Sequence, residues 1–428
     1  MTRSKVLAAI DVGSSKVAVL IGQQNEGNER INVLGASSVP SLGIRKGQIV
    51  NIEEASEVII KAVEAAERMA GLSVGKILVS VGGAHIASQN SHGVVAIANP
   101  EGVIVHEDIK RAIEAARAIS LPSSREVLHV IPRTYTVDSQ QGVADPIGMS
   151  GVRLEVETHI ITSSTTAVKN LSKCIAEVGA DIGGLVFSGI ASAQAVLTET
   201  EKELGVILLD IGGGTTSMIV FIENAPSYTS VLPIGAKNVT NDLAIGLRLS
   251  LDGAEKLKVA LSEKKEEILA EKSENQKVDE IDLAKLGIFE ETKTISQKTL
   301  VEGIIRPRLN EIFGMVAVEI QKSGFAGFTP SGVVLTGGGA LTVGATESCR
   351  SSLSLPVRIG IPSEISGLVD DILNPAFSVA IGLLFYGFKG TGEKFSGVFL
   401  PKFGEVSRKI SVKGLLGKVG SFVRSFLP

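Results

Sequence analysis

The 428-residue sequence contains no tryptophan and only three tyrosines, with aromatics at 4%. That scarcity argues against a stacking platform for bases. Its two cysteines, Cys174 and Cys349, are too few for a disulfide framework or a thiolate zinc cluster and suit a reducing cytosol. The five histidines, His85, His92, His106, His129 and His159, stand at no metal-ligand spacing. A net charge of −4 gives no electrostatic reason for a nucleic-acid partner. No run approaches the roughly 20 apolar residues that cross a bilayer. The opening stretch M-T-R-S-K-V-L-A-A-I-D meets a carboxylate too early for a signal peptide. Two nucleotide signatures are missing as well, the G-x-x-x-x-G-K-[ST] loop and the G-x-G-x-x-G turn.

What is present reads as a soluble α/β protein of more than one domain. Hydrophobic residues make up 44% and charged residues 21%, and strand-like runs alternate with helical patterns. The spacing predicts a helix from Ile52, with Asn51 as N-cap, Glu54 as the returning half of a capping box, an apolar face reaching Ala66 and Met69, and Gly71 as the stop. A second helix starts near Glu107 and Asp108, with Ile109, Ala112, Ile113, Ala116 and Ile119 on one face. Residues 252–300 are rich in Lys and Glu and predict a solvated, inserted helical subdomain, the alternative being an exposed helix and loop. Residues 389–412 carry scattered glycines and no periodicity, as a linker does.

One unit occurs twice. V-L-A-A-I-D-V-G-S-S-K-V-A-V-L (6–20) and G-V-I-L-L-D-I-G-G-G-T-T-S-M-I-V (205–220) each read strand, Asp, small-residue turn, strand. Glycine lets backbone N–H groups approach anionic oxygens, and successive N–H groups form an anion nest. Ser14, Ser15, Thr215 and Thr216 add hydroxyls, and Lys16 adds a compact cation. Asp11 and Asp210 would repel phosphate unless Mg²⁺ lay between, an ion that combines few carboxylates with phosphate oxygens and water. A third cluster, V-V-L-T-G-G-G-A (333–340), lacks a carboxylate and suits a neutral part of a ligand or a close backbone approach. Lys237, Glu255 and Lys258 stand on helical turns; Glu255 and Lys258, three apart, face one groove or form a surface ion pair.

The paired hairpins and third glycine motif resemble the actin-like ATPase superfamily. V-G-G-A-H-I-A-S-Q-N-S-H-G (81–93), V-L-H-V-I-P-R-T-Y-T-V-D (127–138), P-I-G-M-S-G-V-R-L-E (146–155) and L-T-E-T-E-K-E-L-G-V-I-L-L-D-I-G-G-G-T-T (197–216) resemble, within it, the FtsA family of bacterial cell-division proteins. The resemblance implies a two-lobed, actin-like (RNase H-like) ATPase fold with a small inserted subdomain in each lobe and a C-terminal amphipathic helix. Residues 1–84 and 163–197 would form the first core subdomain, 198–229 and 300–388 the second. Residues 85–162 would be the insert that distinguishes this family from actin, used in self-association and in contacts with later division proteins. Residues 230–299 would bind the tubulin-like polymer FtsZ and contact adenosine. ATP and Mg²⁺ are the implied cofactors. Asp11, Gly13, Ser14, Ser15 and Lys16 form the first phosphate loop; Asp210, Gly212, Gly213, Gly214, Thr215 and Thr216 belong to the second, which runs to Ser217. Thr336, Gly337, Gly338, Gly339 and Ala340 form the adenosine motif, with Lys237, Glu255 and Lys258 nearby. Asp11 and Asp210 would hold the metal through water. Gln194 matches the actin glutamine that orients attacking water, or simply caps or packs a helix. A sugar-kinase-type phosphotransferase and a pilus-assembly scaffold are the competing readings.

The last sixteen residues, K-G-L-L-G-K-V-G-S-F-V-R-S-F-L-P, separate cleanly on a helical projection. Leu415, Leu416, Val419, Phe422, Val423, Phe426 and Leu427 share one arc, while Lys413, Lys418, Arg424 and three glycines take the other. This predicts a helix lying in the plane of a membrane with its cations toward anionic headgroups, docking on the protein's own core being the alternative; the family resemblance implies that the membrane is the cytoplasmic face of the cell membrane at the division site. Each cation contributes about 1 kcal/mol near an anionic leaflet, and each glycine costs about 1 kcal/mol of helix. One tail is then a marginal anchor, and a filament displaying many binds by avidity.

Overall fold

A computed structural model of the chain describes residues 4–25, 30–263, 280–289, 294–368 and 371–389. The charged run from Lys264, most of the expected linker and the amphipathic tail lie outside the described residues.

The first lobe opens with β1 (Ser4–Val12), β2 (Lys16–Asn25), β3 (Ile31–Pro40), the two-residue strands β4 (Ile44–Arg45) and β5 (Gln48–Ile49), α1 (Ile52–Ala70) and β6 (Lys76–Val81). An insert follows: β7 (Ala87–Ala96), α2 (His106–Arg117), β8 (Arg125–Val137), β9 (Gln140–Val143) and β10 (Arg153–Ser164). The chain then returns through α3 (Thr165–Ala176), β11 (Asp181–Phe187) and α4 (Ser188–Val196). The second lobe holds α5 (Glu199–Leu204), β12 (Val206–Ile211), β13 (Thr216–Ile222), β14 (Ala225–Leu232), α6 (Ala236–Leu247), α7 (Leu251–Ser262), β15 (Glu280–Asp282), β16 (Thr294–Ser296), α8 (Gln297–Leu300), α9 (Arg306–Ser323), β17 (Val333–Thr336), α10 (Ala345–Leu353) and β18 (Val357–Ile359). Finally β19 (Ile365–Gly367) and α11 (Ser378–Lys389) cross back to the first lobe.

The repeat read in the sequence is a repeat of topology. The lobe sheets run β11-β6-β1-β2-β3-β19 and β14-β13-β12-β17-β18. In each, the aspartate-bearing strand lies antiparallel to its hairpin partner and parallel to a strand on its other side: β1 beside β2 and β6, β12 beside β13 and β17. Those strands are continuously apolar because both sheet faces are covered: Val206–Ile211 is buried at every position. One core spans the first lobe and reaches β12 and β13, and a second fills the remainder of the other lobe.

Local chemistry sets the helix ends. Asn51 Oδ1 accepts from the Glu54 backbone N–H at 3.3 Å, and Gly71, at φ 68°, closes α1 in the left-handed region. The helix ends at Ala70, immediately before the expected stop at Gly71. In α2, Ile109, Ala112, Ile113 and Ala116 are buried against the insert's own sheet, while Ile119 packs beside it beyond the helix end. Two expectations need correction. Within 252–300, α7 is no solvated helix: Ala254, Leu257, Ala260 and Leu261 join the second lobe's core. The linker cannot begin at 389, since α11 continues to Lys389.

The insert touches both lobes. It hangs from the first between β6 and α3, and its sheet (β7-β10-β8-β9) lies beside β14, the outer strand of the second lobe. Ser88 Oγ donates to Thr229 O (2.8 Å) and accepts from Thr229 N (3.1 Å); Asn90 Nδ2 donates to Ser227 O (3.2 Å). His159 lies between them, its ring nitrogens 2.7 Å from Asn90 Oδ1 and 2.9 Å from Thr229 Oγ1. On the other side, His129 Nε2 accepts from Phe187 N at 2.9 Å, tying the insert to β11.

Candidate functional site

Both aspartate turns open into one cavity of about 610 Å³ between the lobes. It lies at the carboxyl ends of the parallel strands β1, β6, β12 and β17, where ligands of α/β folds collect. Each turn closes with the same bond: Gly13 N to Lys16 O at 3.0 Å, Gly212 N to Thr215 O at 2.8 Å. Asp11, Gly13, Ser14, Ser15, Lys16, Asp210, Gly212, Gly213 and Thr215 line the cavity, as do Lys237, Glu255, Lys258 and Gly337 to Gly339.

The carboxylates are held without adequate compensation. Asp11 accepts from Ser80 Oγ at 2.8 Å; burial nonetheless pushes its carboxyl above the ordinary range, against Ser80 and Lys16. Burial, together with the Asp11 carboxylate, pushes Asp210 up to about 7. Asp210 Oδ2 is buried with no hydrogen-bond partner. Gly337 (φ 79°) lies where a side chain would collide with Asp210 Oδ1 and Ile211 O, so glycine is required beside this carboxylate. Burial holds Lys16 down at about 8, opposed by Asp11, and its Nζ sits 3.4 Å from the centroid of the Phe377 ring.

This donor set fits a hydrated divalent cation. Such an ion would give Asp210 Oδ2 a partner and offset the repulsion between the aspartates. No group of three or more His, Cys, Asp or Glu gathers among the described residues, so phosphate oxygens and water would complete the coordination.

One contact between the lobes and several within the second frame the cavity. Lys237 Nζ, on α6, donates to Ser14 O at 2.8 Å, while Ala236 N and Lys237 N donate to Gly212 O and Gly213 O. Glu255 and Lys258 do share one groove: Lys258 Nζ lies 2.7 Å from Glu255 Oε2, and both bond Thr240 Oγ1.

Five expected contact residues lie elsewhere. Gly214 packs between the loops, where a Cβ would stand 2.9 Å from Ser14 Oγ. Thr216 is buried and donates to Ile234 O; Thr336 donates to Gly360 O, beside Ser378. Ala340 faces the second lobe's core. Gln194 lies half-buried on α4, away from the lining, which that helix reaches at Ser188. Ser217, the end of the expected second loop, also lines the cavity, whereas Ser80, Phe377 and the Asn374–Ala376 turn were not foreseen. The available signal was their position after apolar runs, at strand ends or before α11.

The profile of the SHS2 domain inserted in FtsA matches residues 83–162, and that of cell division protein FtsA matches residues 207–382. Curated relatives named cell division protein FtsA extend over nearly the whole chain. That of Neisseria meningitidis is 39% identical over 426 residues, 99% of each chain. That of Pseudomonas aeruginosa is 38% identical over 396 residues, 92% of this chain and 91% of its own. The chain belongs to the FtsA family. Family membership disfavours the pilus and phosphotransferase readings. Solved structures extend the fold more widely. A PilM-PilN type IV pilus biogenesis complex matches with TM-score 0.62 at 16% identity, covering 89% of this chain and 98% of that one. MreB 5 of Spiroplasma citri bound to AMPPNP matches with TM-score 0.51 at 13% identity, covering 90% and 97%. At such identities they establish the actin-like ATPase fold and nothing about partners.

Proposed function

We propose that this cell-division protein binds Mg²⁺ and ATP between its lobes, assembles into filaments, and tethers FtsZ polymers to the cytoplasmic face of the membrane. The observation that carries the nucleotide reading is the convergence of Asp11 and Asp210, the latter with an orphaned oxygen, on one glycine-walled cavity. Asp11 to Lys16 and Asp210 to Thr215 hold the phosphates. The Glu255–Lys258 groove and Gly337 to Gly339 receive the nucleoside. MreB 5 of Spiroplasma citri, which shares the fold, is bound to AMPPNP, and this supports the same use of the cleft. Nucleotide binding is the role these residues support; Gln194 is not part of the lining.

The tether reading rests on the basic, amphipathic sequence of 413–428, and the FtsZ contact on the family resemblance of 230–299. Among the described residues no helix is long and apolar enough to cross a membrane. Calorimetry of the full chain should show Mg²⁺-dependent ATP binding, weakened at least about tenfold in Asp210→Ala; equal affinities would remove the metal assignment. Vesicles containing anionic lipid should pellet the full chain and leave a chain ending at Gly390 in solution. If both pellet alike, the tail is not the anchor.

A further inference from the structure

The hairpin between β3 and α1 is small, strained and bound to the first phosphate loop. Strands β4 and β5 pair Ile44 with Ile49 and Arg45 with Gln48, leaving Lys46 and Gly47 as a two-residue turn. Both have positive φ, 48° and 72°, the primed turn whose first position favours Asn, Asp or Gly. Lysine gains nothing from that geometry, and an unfavoured residue held in the left-handed region points to a task for its side chain.

Four hydrogen bonds fix the hairpin. Ser41 N donates to Ser15 O at 3.0 Å and Ser41 Oγ to Gly13 O at 2.5 Å. Gly47 N donates to Ser14 Oγ at 2.8 Å, and Val50 N closes the base onto Gly43 O at 2.8 Å. The tip also reaches the other lobe: a Cβ on Gly214 would lie 3.2 Å from Lys46 N. Gly47 therefore lines the cavity beside both phosphate loops. The Lys46 backbone thus lies beside both phosphate loops while its side chain is exposed outside the cavity lining, and no carboxylate pairs with it among the described residues.

Charge supplies the reason. The two aspartates match one divalent cation, which leaves Lys16 and Lys237 to face a polyphosphate whose charge exceeds theirs. The terminal group of a triphosphate enlarges that excess. We propose that the Lys46–Gly47 turn is a cationic latch for the outermost phosphate, by which the cleft distinguishes nucleoside triphosphate from diphosphate. This rests on the nucleotide reading above.

Lys46→Asn tests it, because asparagine is at home in the turn and removes only the cation; Lys46→Arg restores charge. Calorimetry with Mg²⁺–AMPPNP and Mg²⁺–ADP should show the triphosphate preference of the full chain falling about tenfold in Lys46→Asn and returning in Lys46→Arg. Amide exchange over 41–50 should slow more with AMPPNP than with ADP, and lose that difference in Lys46→Asn. A thermal midpoint for ligand-free Lys46→Asn at or above that of the unaltered chain shows the turn intact. An unchanged preference in Lys46→Asn overturns the latch while leaving the nucleotide site standing. If the unaltered chain binds neither nucleotide, both readings fall.

Discussion

At the scale of single residues, what the sequence revealed was chemistry grouped along the chain. Asp11 with its Gly-Ser-Ser-Lys turn and Asp210 with its glycines could be found because each cluster is contiguous. Ser80 and Phe377 could not, since they meet Asp11 and Lys16 only through the sheet and the return of the chain before α11. Glycines divide the same way. Gly382 of α11 lies where a methyl group would strike the Ala191 carbonyl of α4, whereas Gly75 has open space. Gly382→Ala should therefore destabilise the protein by roughly 3 kcal/mol or more and Gly75→Ala by less than about 0.5 kcal/mol. Denaturant melts of the two variants make the comparison, and equal midpoints would mean that α4 and α11 are not so closely packed.

At the scale of elements, helix existence was clearer than helix surroundings. Asn51 and Gly71 mark the ends of α1, but Lys and Glu along 252–300 suggested a solvated face, and the sparse apolar positions of α7 proved to be core. A periodic pattern states which side is apolar without stating what covers it. Asn51→Ala should cost about 1 kcal/mol through the lost cap on Glu54 N. A drop in the denaturation midpoint, with the far-ultraviolet spectrum unchanged, would be the expected result.

For the whole molecule, duplication was legible because two hairpins repeat, and the interlobe cavity followed from it. The insert's position was not, since no local pattern reports a contact between Asn90 and Ser227. Its buried histidines give that joint a pH dependence. Burial, with a smaller effect of Arg133, holds His159 down at about 3, and burial holds His129 at about 4. Unfolded, both titrate near 6.5. Below that value the unfolded chain takes up protons that the folded chain refuses. Stability contributed above pH 6.5 is therefore lost as pH falls toward 4, at about 1.4 kcal/mol per unit per histidine. Asp210, raised in the fold, acts with the opposite sign. The readout is accordingly the difference between the unaltered chain and His159→Gln: melts at pH 7.5 and 5.5 should converge in the variant. Nucleotide acts on the same equilibrium. With Mg²⁺–ATP at 100 times its dissociation constant, the folded state should gain about 2.7 kcal/mol, and chelating the metal should abolish most of that gain.

Among the described residues, strand β14 has no neighbour beyond it in its sheet. Ser88 and Asn90 occupy carbonyls and an amide that would otherwise be open to any passing extended chain. A side-chain clasp of this kind shields against stray strand addition without welding the insert to the lobe, because hydroxyl and amide groups exchange readily with water where an apolar seam would not. The molecule thus guards its most adhesive border with a reversible fastening.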